Sequence, residues 1–333
     1  MRVDIYSDFV LKDILQSYSS IQFSECIRDV GDIQLSFTDG EVYRNISVTE
    51  DILVVGNNAY LAENKHKTDS KDLRKYEITG RHITSVLSWR CVKGFEVPVG
   101  ESYEDACIRL IRENFISPTD KKRTIPNFTF KRLGLSQKNT VKRIYEANDC
   151  LSILKFISKL GGFGFRLEYD IQGKKLVFCC IPVSDRSSTV IFGDKFNNIS
   201  ETDIYEETSD YKNVAYLYTE PTETEEESYT AYGETESEGL LRREYVEKGS
   251  SVEDVMEGLK EKSKTTGAEF VILNSEQYQY NKDYFLGDTV LLTDTDSSLA
   301  LAKPIEKVTH FYEKTYEMEI TYGDTIPTIF TKK

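Results

Sequence analysis

The stretch from Lys75 to Arg90 changes its hydrophobic period in mid-course. Tyr76 and Ile78 alternate with Glu77 and Thr79, which is the period of a strand. Beyond Gly80 the residues Ile83, Val86, Leu87 and Arg90 follow a helical spacing. A switch from a period of two to about 3.6 across one glycine predicts a strand-to-helix corner. The strand half returns near the other end of the chain as Glu319-Ile320-Thr321-Tyr322-Gly323. Such an echo arises either from two related strand units or from chance alternation.

At 333 residues the chain exceeds one ordinary core, and a prior of about 150 residues per domain predicts two or three units. A charged fraction of 29 % and a hydrophobic fraction of 39 % describe a soluble globular protein, and no apolar run nears the ~20 residues of a membrane span. Acids interrupt the apolar part of MRVDIYSDFV, so it does not read as a secretory signal, and synthesis in a cytoplasm is expected. A net charge of -14 argues against nucleic acid as a ligand, because neutralising phosphates needs a basic surface. It suits a surface that must not hold nucleic acid. Cys26, Cys91, Cys107, Cys150, Cys179 and Cys180 include no C-x-x-C pair, so buried free thiols are expected in place of a zinc site or disulfide framework.

Along the chain, period-2 segments at 18–23 and 31–37, with a short apolar run at 52–55, predict a small antiparallel barrel or sandwich over residues 1–92. The polar tract Glu63–Asp72 reads as a hairpin tip. From residue 93 to 185 the pattern is mixed α/β. One helix is capped by Ser102, with Glu104 and Asp105 in its first turn and a stripe of Tyr103, Cys107, Leu110, Ile111 and Phe115. A second runs from Asp149 through Leu151, Leu154, Ile157 and Leu160 and stops at Gly161-Gly162. Strands at 163–169 and 175–181 follow. Residues 186–333 return to β, with strands at 189–192, 214–218, 288–293, 304–312 and 316–322. This last part holds an acidic Glu220–Glu238 segment, read as a mobile loop or long exposed hairpin. It also holds a helix opened by a Ser251–Asp254 capping box, striped by Val252, Val255, Met256 and Leu259, and ended by Gly267.

The two ends match in order. Asp51-Ile52-Leu53-Val54 and Asp288-Thr289-Val290-Leu291 each precede a version of the E-I-T strand. Ala59-Tyr60-Leu61-Ala62 and Leu299-Ala300-Leu301-Ala302 sit between. Two related β units explain this, and so do two unrelated antiparallel hairpins.

No constellation reads as catalytic, cofactor-binding or metal-binding. His66, His82 and His310 have no cysteine, serine or carboxylate at a motif spacing and read as surface or satisfied structural histidines. Gly161-Gly162-Phe163-Gly164 follows a helix, where a dinucleotide fingerprint follows a strand. Asp294-Thr295-Asp296-Ser297-Ser298 lacks the turn glycine and closing glutamate of a calcium loop and reads as a hairpin tip. The Glu220–Glu238 run offers no dry pocket that would split carboxylate pKa values as a glycosidase requires. The Tyr and Phe content fits a carbohydrate platform or ordinary strand packing.

Tyr76-Glu77-Ile78-Thr79-Gly80-Arg81 leading to Leu87-x-x-Arg90 resembles a family of siphovirus and prophage tail proteins that form the central hub or tail tip. So do Ser184-Asp185-Arg186-Ser187 with Val190-Ile191-Phe192-Gly193 and Phe196-Asn197-Asn198-Ile199, although Gly193 stands where the family favours serine. Asn213 to Tyr218 and Gly287-Asp288-Thr289-Val290 also fit. The resemblance implies an α+β, mostly β fold: two related tube-type β-barrel domains, 1–92 and 186–333, flanking the 93–185 insert, as in phage baseplate hubs. It implies a structural role joining the tail tube to the spike or tip and lining the DNA channel. A homotrimer in the particle, pseudo-sixfold from two similar barrels per subunit, is then expected, while the isolated chain is compatible with a monomer. The implied partners are the tail tube or distal tail protein, the tape measure and the spike or tip protein. DNA would pass without specific binding and no membrane is involved. The setting is a virion tail assembled from protein made in a host bacterial cytoplasm. No enzyme activity and no cofactor are implied; the rival readings are a tail-associated cell-wall hydrolase and a receptor-binding module.

Overall fold

Alternating apolar and polar residues in Ser20–Cys26, Asp32–Phe37 and Arg74–Arg81 place Ile21, Phe23, Ile33, Leu35, Phe37, Tyr76 and Ile78 on one face of an antiparallel sheet. A computed structural model describes residues 1–48, 50–69, 74–140, 142–219, 227–247, 252–273 and 277–323. The chain divides into a larger unit (1–202 and 269–322) and a smaller one (203–268 with 323–333).

In the larger unit the sheet runs, in order, Asn64–Asp69, Arg74–Arg81, Asp32–Phe37, Ser20–Cys26, Leu299–Tyr312 and Tyr316–Gly323. Thr265–Ile272 and Ile199–Glu207 follow in the strand order. Its N-terminal part packs against a second sheet of Val10–Leu15, Val3–Ser7, Asp51–Val55 and Asn58–Leu61, and the shared core holds Val3, Ile5, Leu53, Val55 and Tyr60. This is the sandwich alternative of the sequence reading; among the described residues no barrel closes. Register is fixed because a slip of one residue would turn every core side chain to solvent. The tract at 63–72 does lie in a hairpin, but its first strand, Asn64–Asp69, is six residues long and pairs fully with Arg74–Arg81.

The corner after Gly80 has two physical determinants. A Cβ on Gly80 would lie 1.7 Å from the Leu61 carbonyl oxygen, so the glycine permits two backbones to touch. The strand continues through Arg81, and the expected helix is a 3-10 helix, Ile83–Trp89. His82 caps it, accepting the Thr84 amide (3.3 Å) and the Thr84 hydroxyl (2.9 Å) at Nδ1, while that hydroxyl accepts the Leu167 amide at 3.0 Å. One buried imidazole thereby ties the corner to the strand Gly164–Asp170.

The insert forms around helices Tyr103–Ile111 and Cys150–Gly161, capped as expected by Ser102 and Asp149, and Gly162 takes the left-handed C-cap at φ 66°. A π turn, Arg112–Ile116, extends the first helix and brings Phe115 into the core. The three-stranded sheet Phe128–Lys131, Lys175–Ile181 and Gly164–Asp170 covers them. Of the six cysteines, Cys107, Cys150, Cys179 and Cys180 are buried and all are free. Cys26 is half-buried and Cys91 is exposed, so the expectation of buried thiols fails there.

In the smaller unit Val214–Thr219 pairs antiparallel with Ser228–Gly233 and parallel with Glu244–Glu247. The acidic segment is thus a hairpin in its described part, and residues 220–226 lie outside the described residues. Buried Asn213 donates to Glu234 and Leu241 and accepts the Arg243 amide, closing the end of this sheet. Helix Val252–Glu261 ends before Gly267, which lies inside the strand Thr265–Ile272; the Lys262 amide still bonds back to Gly258, and the Ser263 amide to Lys260 in a tighter final turn. Of the expected stripe only Val255 is buried, with Leu259 half-buried and Val252 and Met256 exposed. The proposed cap, Ser251, lies outside the described residues.

Two outcomes follow. Gly80→Ala should destabilise the chain by about 3 kcal/mol or more, because backbone meets backbone; a urea midpoint equal to wild type would refute the contact. Burial, only partly offset by the Glu25 charge, pushes the His82 imidazole down to about 4. Unfolded histidine titrates near 6.5, so between these values the unfolded chain binds a proton that the folded chain refuses. Stability is full above that window and falls as pH drops through it, by roughly 3 kcal/mol. His82→Gln should flatten this slope whatever its absolute stability, and equal slopes in the two proteins would exclude His82 as the source.

Candidate functional site

The N- and C-terminal parts of the larger unit meet in one strand pair. Ser20–Cys26 and Leu299–Tyr312 run antiparallel, with Phe23 opposite His310 and Ser24 opposite Thr309. The two faces of this junction have different chemistry.

On the buried face a row of residues crosses five strands: Gly80, Ile33, Phe23, His310 and Met318. Phe23 and His310 stack with ring centroids 4.6 Å apart. His310 Nε2 lies 3.2 Å from Glu25 Oε1, and its Nδ1 lies 3.0 Å from the Tyr316 hydroxyl. The tautomer that donates from Nε2 to Glu25 accepts from Tyr316 at Nδ1. The Tyr280 hydroxyl donates to the same Glu25 oxygen at 3.2 Å. Burial pushes the Glu25 carboxyl up, but His310, the Tyr280 hydroxyl and the more distant Arg166 together outweigh it and hold Glu25 below the ordinary carboxylate range. Glu25 and His310 stand 285 residues apart in sequence, and for that reason no motif spacing could pair them.

The opposite face is polar. Thr79, Gln34, Gln22, Phe311 and Glu317 form one transverse row, and Glu77, Ser36 and Ser20 another. Gln34 donates to Glu77, and Lys307 lies 3.9 Å from Asp32. Burial and the adjacent Glu269 push Glu319 up; Lys307 opposes this and Glu201 adds to it. Carboxylates therefore outweigh cations here, with Asp32, Glu77, Glu269, Glu317 and Glu319 facing Lys75, Arg81 and Lys307. The face is concave across Gln22, Gln34 and Phe311, enclosing about 580 Å³.

The sequence motifs fall into place around a buried aspartate. Asp288 accepts the Ser184 amide at 3.2 Å, the Phe285 amide at 3.0 Å and Arg186 Nε at 2.7 Å. The Asp-Arg turn and the Gly287-Asp288-Thr289-Val290 block, separate in sequence, are thus two sides of one ion pair. Val190 accepts the Leu291 amide, and Ile191–Gly193 runs parallel to 291–293. Asn198, also buried, accepts the Gly193 amide and donates to the Ile191 carbonyl. A Cβ on Gly193 would lie 2.2 Å from the Thr293 hydroxyl, which accounts for glycine where serine was expected.

Asp51 holds the matching place in the N-terminal part. It is buried, accepts the Ser47 amide and pairs with Lys12 at 2.8 Å. Each aspartate stands at the start of a strand, and its carbonyl accepts from the returning strand, from Ala62 and Ile305 respectively. In both parts the returning chain first pairs within one sheet and then crosses to the next. Asn58–Leu61 does so through Asn64–Asp69, and Leu299–Tyr312 does so within a single strand. The segments matched in sequence therefore both lie in antiparallel pairs that lead into the large sheet.

Among the described residues no group of histidines, cysteines and acids could hold a metal ion. His66 is exposed, whereas His82 and His310 are buried and hydrogen-bonded. The Asp294–Ser298 segment is a hairpin tip, with Asp294 accepting the Ser297 amide.

Residues 3–324 match the family described as Siphovirus ReqiPepy6 Gp37-like protein. No curated protein sequence matches the chain. Among solved structures, a tail protein from Neisseria meningitidis MC58 superposes with a TM-score of 0.63 at 13 % identity, covering 97 % of this chain and 96 % of the other. The 43 kDa tail protein of prophage MuSo2 from Shewanella oneidensis gives 0.60 at 10 % identity, covering 97 % and 98 %. Prophage tail protein gp18 from Listeria monocytogenes EGD-e gives 0.57 at 12 % identity, covering 99 % and 96 %. With its motif blocks joined by the Arg186–Asp288 pair and nearly its whole length matched, the chain belongs to the Siphovirus ReqiPepy6 Gp37-like family.

Proposed function

We propose that the chain is a baseplate-hub or tail-tip ring adaptor, whose polar sheet face lines the channel through which DNA passes. The observation that carries this is the eight-strand run of sheet with its polar side, concave across Gln22, Gln34 and Phe311 and bearing Asp32, Glu77, Glu269, Glu317 and Glu319 along its length. Two parts of like connectivity lie in one sheet, so three copies would present six similar segments around an axis. On this reading 1–92 and 186–333 are the tube-type domains, 93–185 is the peripheral insert, and barrel closure belongs to the ring of subunits. The free edge strand Asn64–Asp69 gives each copy unpaired backbone groups for that closure.

Carboxylates such as Glu77, Glu269, Glu317 and Glu319 would repel phosphate, so DNA slides without adhering. The partners are the tail tube or distal tail protein above, the tape measure, and a spike or tip protein below. A chain of the PdpA–VgrG complex, similar in fold over 98 % of this chain and 66 % of its own length (TM-score 0.51), is consistent with an adaptor beside a spike. No catalytic step enters this role.

Cryo-electron microscopy of purified particles should place three copies in a ring between tube and tip, and a peripheral location or a single copy would overturn the assignment. Glu269→Lys with Glu319→Lys should leave assembly intact and slow DNA ejection roughly tenfold by adding attraction to the wall. Ejection at the wild-type rate from assembled mutant particles would remove this face from the channel.

A further inference from the structure

The larger unit contains a cleft of about 1270 Å³ on the buried side of the junction, separate from the polar face. Its floor and walls include Phe23, Glu25, Tyr280, His310, Tyr312 and Tyr316. The rings form a nearly continuous lining: Phe23 stacks on His310 and Tyr312, His310 stacks on Tyr316, and Tyr312 and Tyr316 lie 4.5 Å apart. Tyr316 remains 40 % exposed, so part of this aromatic wall has no covering.

Two of the arginines that line the cleft are held in ion pairs. Arg166 is held by Glu168 at 3.0 Å and Arg186 by Asp288 at 2.7 Å. Glu25 receives both of its hydrogen bonds, from Tyr280 and His310, on Oε1. Among the described residues, no donor reaches Oε2, and no lysine or arginine lies within salt-bridge distance of the carboxylate. Lys131 stands in the lining but does not reach it. A carboxylate only 14 % exposed, with ring faces around it, thus meets His310 on one oxygen and leaves the other for a further donor. Such an arrangement favours an ammonium or guanidinium group, which gains from the carboxylate and from the negative faces of the rings together. The cleft already contains one pairing of this type, with the Arg186 guanidinium 5.7 Å above the Phe285 ring.

We infer that this cleft binds a lysine or arginine side chain carried on a segment of a partner protein, seated on Glu25 Oε2 between the aromatic rings. A segment, not a free amine, is the occupant because the space exceeds the roughly 300–1,000 Å³ of a small-molecule pocket. This assignment rests on the cleft alone and is independent of the ring position proposed above.

Calorimetric titration of the full chain with acetyl-Gly-Gly-Arg-Gly-Gly-amide and its lysine counterpart tests it. Saturable binding is expected for at least one peptide, with loss on replacing arginine by uncharged citrulline. Glu25→Gln, which keeps an acceptor for His310 and Tyr280, should weaken binding roughly tenfold or more, as should Tyr316→Ala on the exposed wall. Agmatine and cadaverine should bind at least several-fold more weakly than the peptides. No saturable binding, citrulline binding equal to arginine, or indifference to both substitutions would overturn the site. Free amines binding as tightly as the peptides would overturn the segment as occupant.

Discussion

Everything in the larger unit depends on the antiparallel pairing of Ser20–Cys26 with Leu299–Tyr312. It joins the first strands of the chain to the last, closing a loop of nearly the whole sequence. A loop of that length adds little entropy cost beyond a shorter one, since the cost grows only logarithmically. The consequence is kinetic: a pairing between residues so distant in sequence raises the contact order and slows folding. The buried Phe23–His310 stack and the hydrogen-bonded Glu25 give that contact its register, and a one-residue slip would turn Phe23 and Glu25 to the opposite face, away from His310.

The sequence disclosed what is local. Strands with clean alternation, the Ser102 and Asp149 caps and the Gly162 stop all emerged where backbone chemistry and periodicity demanded them. The helix expected to reach Gly267 stopped earlier, because a glycine in a strand and a glycine after a helix look alike without tertiary context. Cys91 illustrates the same limit: composition suggested burial, but its place at the edge of a two-residue strand exposes it.

The site was less legible, for a physical reason. His82 and His310 read as structural, which describes what each side chain does, yet neither partner set was visible in advance. Tyr316, six residues from His310, sits across a hairpin, and Glu25 comes from the opposite end of the chain. The motifs Asp-Arg-Ser and Gly-Asp-Thr-Val were visible as strings; that Arg186 and Asp288 are one ion pair required the fold. In the N-terminal part the buried Asp51 is paired by Lys12, a partner equally invisible from spacing.

Leu299–Tyr312 is a strand of fourteen residues that first pairs with Thr289–Asp294 and then, past an irregularity at Ile305–Lys307, with Ser20–Cys26 and Tyr316–Gly323. The two layers it serves share covalent backbone as well as side-chain packing. A load applied along one layer therefore reaches the other through peptide bonds, and hydrogen-bond ladders on both flanks shear together before either layer can peel away alone. The irregularity is the compliant point in that path, acting as a flexure in an otherwise stiff beam.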